Sequence, residues 1–325
     1  MRSKVETIAV LTSGGDAPGM NAAVRAITRY GIYHEMEVYG IKRGYEGLID
    51  GEVERLYRRS VGDILQRGGI ILKTARSEHF RTREGMEKAY NVLKDLMIEN
   101  LIVIGGDGTL TGAKEFSQNF GVNVIGLPGT IDNDLAYTDE TIGFDTAINT
   151  VLEGITRIRD TSSAHERTTI IEVMGRRCGD IALYAGITGG AESVLLPELD
   201  NDLDAVCEKV ISGVREGKLH DIIIKAEGVP VDSKELVKII SERTGRDVKL
   251  VVLSYLQRGG SPTFRDRMFA TMSGARAIDL IKQGVRNRAI GIRNGEIFDM
   301  DIAEALESTR TVDLDLCKGV DILSM

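Results

Sequence analysis

Apolar and polar positions follow two periods along this chain. Apolar, β-rich runs occur at residues 7–11, 38–41, 101–104, 122–127, 168–173, 193–196, 221–225 and 248–256. Between most of them apolar residues recur at helical spacing, over 22–30, 83–98, 149–160, 203–216, 234–243 and 267–282. Strands alternating with helices predict parallel sheets wound with helices on both faces, an α/β fold. Runs such as Leu101-Ile102-Val103-Ile104 contain no polar position, which fits strands buried on both sides. No Pro-rich or low-complexity linker interrupts the alternation, and no internal repeat is evident. Any domain border is therefore hidden inside it, and the chain is free to cross between lobes more than once.

A length of 325 residues suits one large or two moderate domains. With 42% hydrophobic and 28% charged residues, the composition is that of an ordinary soluble globular protein. The formal net charge of −8 argues against a general nucleic-acid or anionic-membrane surface. No Trp and few aromatics argue against stacking on single strands. No apolar run reaches membrane length. Met1-Arg2-Ser3-Lys4 leads straight into a strand, without the features of a signal peptide. Cys178, Cys207 and Cys317 are odd in number and widely spaced, which fits a reducing cytoplasm. No C-x-x-C or H-x-x-x-H spacing suggests zinc. The four histidines read as surface or packing residues.

Candidate chemistry gathers where strands end, the place at which open α/β sheets hold ligands. The first run is followed by Thr12-Ser13-Gly14-Gly15-Asp16-Ala17-Pro18-Gly19-Met20-Asn21. Adjacent glycines let backbone N–H groups approach a phosphate, and the following helix would aim its N-terminus at the anion. Pro18 suits that helix's first turn. The loop is neither a Walker A nor a Rossmann G-x-G-x-x-G pattern, and a plain tight turn accounts for it equally. The run at 101–104 leads into Gly105-Gly106-Asp107-Gly108-Thr109. A carboxylate among glycines can hold Mg²⁺ while phosphates supply other ligands; the alternative is that Asp107 caps the next helix. Kinases acting on NAD or lipid carry similar loops, so this one points to nucleotide phosphate and Mg²⁺ without naming the acceptor. The run at 122–127 leads into Pro128-Gly129-Thr130-Ile131-Asp132-Asn133-Asp134. Phosphoryl transfer to an alcohol needs a base for the hydroxyl proton and cations where charge redistributes. Asp132 can be the base, Asp134 can orient it or hold metal-bound water, and Arg76, Arg167 and Arg176 are candidate cations. An Asx-rich surface turn is the structural alternative; the position beside Asp107 favours the chemical reading.

These three loops are joined by Asp160-Thr161-Ser162-Ser163-Ala164-His165-Glu166-Arg167, Glu172-Val173-Met174-Gly175-Arg176 and Gln257-Arg258-Gly259-Gly260-Ser261-Pro262. Together they make the chain resemble, over nearly its whole length, the ATP-dependent 6-phosphofructokinases of the bacterial type. The resemblance implies ATP over Gly15, Arg76, Ser77, Gly106, Asp107, Gly108 and Thr109, with Mg²⁺ at Asp107. It implies fructose 6-phosphate at Thr130, Ile131, Asp132, Met174, Gly175, Arg176, Glu227 and Arg258. Arg167 and Lys249 would reach the sugar phosphate of a neighbouring subunit, and Tyr255 would touch the same 6-phosphate. Asp132 would take the proton of the 1-hydroxyl, with Asp134, Thr130, Arg176 and Gly15 completing the catalytic set. The products would be fructose 1,6-bisphosphate and ADP, in glycolysis. The family is a cytoplasmic homotetramer of two-lobed subunits, each lobe a mainly parallel sheet wound with helices and the site in the cleft between them. Residues 1–142 plus 257–306 would form the ATP lobe, and 143–256 plus 307–325 the sugar lobe.

The resemblance also speaks to the donor and to regulation. Pyrophosphate-using relatives commonly carry Asp in place of Gly108 and Lys in place of Gly129, so the two glycines favour ATP. The family usually has Arg at 249 and His at 255. Lys249 keeps the charge but loses the two-pronged donor, and Tyr255 keeps one donor without a charge. These changes predict weaker sugar-phosphate binding and leave open a kinase for another ketose phosphate, or a non-catalytic sensor subunit on the same fold. A second nucleotide-diphosphate site between subunits would use Arg25, Arg29, Arg58, Arg159, Glu192, Lys218 and His220. Arg25 and Arg29 lie four apart, on one helix face. Glu216 and Leu219, where basic residues are common, weaken the implied control by ADP and phosphoenolpyruvate; a solvated helix surface is the alternative for these arginines.

Overall fold

The structure, a computed structural model, describes residues 6–324. In chain order the first elements are β1 (Thr7–Thr12), α1 (Met20–Tyr33), β2 (Glu37–Ile41), α2 (Gly44–Ile49) and β3 (Val53–Leu56). A 3₁₀ turn at His79–Arg81 precedes α3 (Arg83–Asp95), β4 (Asn100–Gly105), α4 (Asp107–Phe120), β5 (Asn123–Pro128) and α5 (Phe144–Ala164). Next come β6 (Thr168–Val173), α6 (Asp180–Gly189), β7 (Ser193–Leu195), α7 (Leu203–Arg215), β8 (Asp221–Ala226), α8 (Ser233–Thr244) and β9 (Val248–Val252). A 3₁₀ helix at Ser254–Arg258 leads to α9 (Phe264–Lys282), β10 (Arg288–Arg293), β11 (Glu296–Asp301), α10 (Ile302–Glu307) and α11 (Leu314–Leu323).

The chain forms two compact units. The first comprises the chain up to Ile131, Leu135–Thr146 and Arg258–Arg310; the second comprises Asp132–Asp134, Ala147–Gln257 and the chain from Thr311. The first unit holds a seven-stranded sheet of order β11-β10-β5-β4-β1-β2-β3. Its central strands are parallel, and the pairs β10–β11 and β2–β3 are antiparallel. β4 and β5 are buried along their apolar runs because both faces are covered. Leu11, Tyr45, Leu48, Phe80, Leu93, Leu110 and Phe116 belong to a core packed on one face. On the other, α1 and α9 approach closely through small residues: a Cβ on Gly274 would lie 2.8 Å from the Cβ of Ala26. The second unit holds a four-stranded parallel sheet, β7-β8-β6-β9. Helices α7 and α8 begin at Asp202 and Asp232, whose carboxylates accept from the first-turn N–H groups.

Four local expectations change. The strand expected over 248–256 stops at Val252, because Ser254 takes a positive φ of 43° and turns the chain into the 3₁₀ helix. Pro18 lies in the turn before α1, not in its first turn, because Gly19 at φ 106° is the N-cap and the helix starts at Met20. The β10–β11 hairpin was absent from the apolar pattern, since β11 is only partly buried and carries acids. Its turn is Asn294-Gly295, both at positive φ (51° and 81°), the residue pair that favours a two-residue hairpin. Helix α6 likewise lacks an amphipathic stripe: Ile181, Ala182, Leu183 and Ala185 are all buried.

Candidate active site

In the first unit β1, β4 and β5 lie side by side and end together, so three loops leave one edge of the sheet. The Ser13 N–H donates to the Ile104 carbonyl at 3.0 Å, and the Gly129 N–H to the Gly105 carbonyl at 2.9 Å. The Thr109 hydroxyl donates to the Ser13 carbonyl at 3.1 Å, closing the second loop onto the first. A Cβ on Gly105 would lie 2.4 Å from Thr109 Oγ1 and 2.5 Å from the Ser13 carbonyl, so only glycine fits there. Gly108 is different: a Cβ would enter open space. Asp107 is exposed as the first residue of α4, with Gly106 as N-cap. A Cβ on Gly106 would meet the Thr130 side chain at 3.5 Å, which sets Thr130 beside the Asp107 loop.

Asn21, in the first motif but with no role read from sequence, ties that loop to the segment at 67–77. Its amide donates to the Arg67 and Gly69 carbonyls (2.9 and 2.8 Å) and accepts from the Ile71 N–H (3.0 Å). Thr12 donates to the Lys73 carbonyl and Thr74 to the Gly14 carbonyl. Arg76 and Ser77 follow directly; Arg76 is exposed, and Ser77 Oγ accepts from the Phe80 N–H. Arg258, which the resemblance implies at the sugar, packs here on the loop that follows β1. A Cβ on Gly15 would be 3.2 Å from its Nη1, and Nη1 is 3.6 Å from Asp16 Oδ1.

In the second unit the acid triplet meets the ends of β6 and β8. Arg176 Nε is 3.6 Å from Asp132 Oδ2, and its Nη1 is 3.8 Å from Asp134 Oδ2. Those separations are ion pairs too long for hydrogen bonds. The Asp132 side chain is 6% exposed, that of Arg176 49%. Arg176 sits at φ 53°, and its N–H donates to Glu227 Oε1 at 2.8 Å. The Glu227 N–H in turn donates to the Val173 carbonyl, and the Met174 N–H to Gln257 Oε1. Met174, Arg176 and Glu227 are thus tied together at the ends of β6 and β8, and Arg176 faces the acids. Ile131 is buried, and the Thr130 carbonyl accepts from the Thr141 hydroxyl at 2.6 Å.

Other expected residues lie elsewhere. Arg167 precedes β6 and Arg176 follows it, a separation of about 20 Å for six extended residues. Arg167 and Lys249 instead share Asp247, at 2.6 and 2.8 Å. Lys249 and then Arg167 hold the Asp247 carboxyl below the usual range. Lys249 stands near the start of β9, whereas Tyr255 lies beyond its end and is 76% exposed. The effector candidates divide between the units. Arg25, Arg29 and Arg58 are in the first, where burial and then the Arg29 charge lower the Arg25 guanidinium's affinity for its proton. Arg159, Glu192, Lys218 and His220 are in the second. There Lys218 reaches Glu192 at 4.0 Å, Glu192 also accepts from the Ile222 N–H, and Arg159 donates to the Gly189 and Gly190 carbonyls. Arg58 lines an open groove with Arg55, Tyr57 and Arg59.

Mg²⁺ fits the donor set at Asp107. Among the described residues no cluster of three or more acidic, His or Cys side chains forms a protein cage. A single exposed carboxylate between two glycines leaves the remaining positions to water and phosphate oxygens, as Mg²⁺ prefers.

The first unit thus carries glycine loops at adjoining strand ends, and the second an arginine within ion-pair reach of two carboxylates. The phosphofructokinase family model matches residues 7–281, and the chain belongs to the phosphofructokinase family. It is 54% identical to the ATP-dependent 6-phosphofructokinase of Alkaliphilus metalliredigens over 99% of this chain and all of that one. It is also 54% identical to that of Clostridium botulinum, over 98% and all. Among solved structures, phosphofructokinase from Saccharomyces cerevisiae superposes with a TM-score of 0.91 at 34% identity. That match covers 98% of this chain and 48% of the yeast chain, so this chain spans about half its length. A pyrophosphate-dependent phosphofructokinase from Marinobacter aquaeolei has the same fold, with a TM-score of 0.85 at 22% identity over 96% of this chain and 86% of that one. No described helix is long and apolar enough to cross a membrane.

Proposed function

We infer that this chain is an ATP-dependent 6-phosphofructokinase: it moves the γ-phosphoryl group of ATP to the 1-hydroxyl of fructose 6-phosphate, giving fructose 1,6-bisphosphate and ADP in glycolysis. The observation that carries the catalytic part is the Arg176 guanidinium within ion-pair reach of both Asp132 and Asp134. Asp132 follows Thr130 by two residues, so the backbone tethers it within about 7 Å of a residue beside the Asp107 loop. Asp132 accepts the 1-hydroxyl proton as the oxygen bonds to phosphorus and the bond from phosphorus to the ADP oxygen breaks. Its low exposure keeps competing water away from the carboxylate. Asp134 keeps Arg176 near the acids, and the half-exposed guanidinium is free to turn toward the transferred group's charge. Gly15, Gly106, Asp107 and Gly108 offer backbone N–H groups to the triphosphate, with Thr109, Arg76 and Ser77 beside them. Asp107 would hold Mg²⁺, which neutralises charge on the β- and γ-phosphates when bound.

Met174 to Arg176, Glu227 and Arg258 serve the sugar in this reading. Arg167 and Lys249, at the far end of β6 and β9 from Arg176, suit the sugar phosphate of a neighbouring subunit in a homotetramer. Nucleotide control through Arg25, Arg29, Arg58, Arg159, Glu192, Lys218 and His220 belongs to the same assembly. Three free cysteines accord with a cytoplasmic location. The deciding experiment is ADP release by purified protein with Mg²⁺, ATP and fructose 6-phosphate. Asp132→Ala is expected to lose about 10²- to 10⁴-fold in kcat with both KM values nearly unchanged. A variant that kept its rate would remove Asp132 from the mechanism. Tyr255 and Lys249 support a second reading, a different ketose phosphate as acceptor, which a panel of sugar phosphates would reveal by faster turnover than fructose 6-phosphate.

A further inference from the structure

The Asp132-Asn133-Asp134 segment meets the turn from Gly175 to Asp180, which links β6 to the start of α6. Arg176, early in that loop, faces Asp132 and Asp134 through ion pairs of 3.6 and 3.8 Å. The middle residue, Asn133, is fully buried at φ 53°, a left-handed conformation that Asn tolerates better than most residues. Its amide Nδ2 donates to Asp180 Oδ2 at 2.8 Å, across 47 residues of sequence. Its carbonyl accepts a weak bond from Cys178 Sγ at 3.8 Å. The loop itself is tightly wound: the Cys178 N–H donates to the Gly175 carbonyl at 2.8 Å, and a Cβ on Gly175 would lie 2.3 Å from the Cys178 carbonyl. Asp180 is 5% exposed. Gly179, not Asp180, is the N-cap of α6, and its N–H is held by Glu198 Oε1 at 2.7 Å.

We propose that Asp180 is a positioning residue for the phosphoryl transfer: through the Asn133 amide it fixes the turn between Asp132 and Asp134, and so the direction of the Asp132 carboxylate. This rests on Asp132 being the base. The two restraints have different duties. Arg176 is half-exposed and must respond to the moving phosphoryl charge, so its grip on the acids changes during the reaction. The Asp180–Asn133 bond is buried and charge-assisted and does not involve Arg176, so it can hold while Arg176 moves. A reacting group misplaced by about 1 Å can lose on the order of 10²-fold in rate.

Four variants test this: Asp180→Ala, Asp180→Asn, Asn133→Gly and Asp132→Ala, each with kcat, both KM values and a melting curve. Asp180→Ala is expected to lower kcat about 10- to 100-fold, the effect of losing a buried charge-assisted bond or misplacing a base. The KM for ATP should stay within about twofold. Asp180→Asn, whose amide oxygen still accepts from Asn133, should recover most of the rate even where its melting temperature matches that of the Ala variant. Asn133→Gly keeps the left-handed backbone and loses only the amide. It should show the same loss in kcat, and it carries the test alone if Asp180→Ala does not fold. The proposal is overturned if Asp180→Ala or Asn133→Gly retains the parental kcat, or if Asp180→Asn is as slow as Ala. The two failures are separable: an active Asp132→Ala refutes the base, whereas a dead Asp132→Ala beside an unimpaired Asp180→Ala refutes the positioning role alone.

Discussion

At the scale of single residues, open space and close contact separate positions that sequence shows only as glycine. Gly108 faces room for a side chain, whereas a Cβ on Gly129 would stand 2.8 Å from Met20 Cε and 2.9 Å from Ile104 Cγ2. Gly108→Asp should therefore fold with stability within about 0.5 kcal/mol of the parent. The added carboxylate should nevertheless lower kcat/KM for ATP roughly tenfold or more through repulsion of the phosphates. Unchanged ATP kinetics would mean that the nucleotide does not pass this residue. Tyr255 gives the opposite kind of prediction. It is exposed, so Tyr255→His costs the fold little, and it restores a group that can carry charge. The KM for fructose 6-phosphate should fall about five- to tenfold, corresponding to roughly 1 kcal/mol for a charge-assisted bond. A KM that stayed level or rose would place the 6-phosphate elsewhere.

At the scale of elements, the sites depend on how loops are tied to helices. Asp266, in the first turn of α9, accepts from the Gly143 N–H at 2.7 Å and from the Thr146 N–H and hydroxyl at 2.8 and 2.5 Å. Burial outweighs these donors and pushes its carboxyl up to about 6. A carboxyl raised on folding favours the folded state below its unfolded value near 4, and that contribution is lost as pH rises through about 6. Relative to Asp266→Asn, the parent's stability should fall by on the order of 3 kcal/mol between pH 4 and 7, at 1.36 kcal/mol per unit. Urea curves for the two proteins that run parallel across that range would contradict it. The apolar runs leading to Gly105 and Pro128 were legible because strands covered on both faces favour apolar residues throughout. β11 was not, because its EIFDMD sequence pairs at a partly exposed sheet edge. Its Asn294-Gly295 turn was the one available signal. The loops at strand ends were legible as motifs. Contacts such as Arg258 on Gly15, or Asp180 with Asn133, join residues far apart in sequence and leave no local period to read.

At the scale of the molecule, Arg167 and Lys249 cannot serve the same strand ends as Arg176 within one chain, given the length of β6. If each site borrows them from a neighbour, Arg167→Ala and Arg176→Ala subunits should each be nearly inactive alone. Hybrids formed by dissociating and reassembling a mixture should regain activity, because some sites then receive an intact set from two chains. No recovery in mixed assemblies would leave each site to a single chain. The division of the chain carries a further consequence. Neither unit is a continuous stretch: the second is built from three pieces, one of them only Asp132–Asp134, threaded between pieces of the first. Exchanging the second unit between relatives would thus require three simultaneous grafts, one of three residues. Simple recombination at one breakpoint would leave hybrid units on both sides, so the second unit of this architecture is more readily altered by point substitution than by shuffling modules.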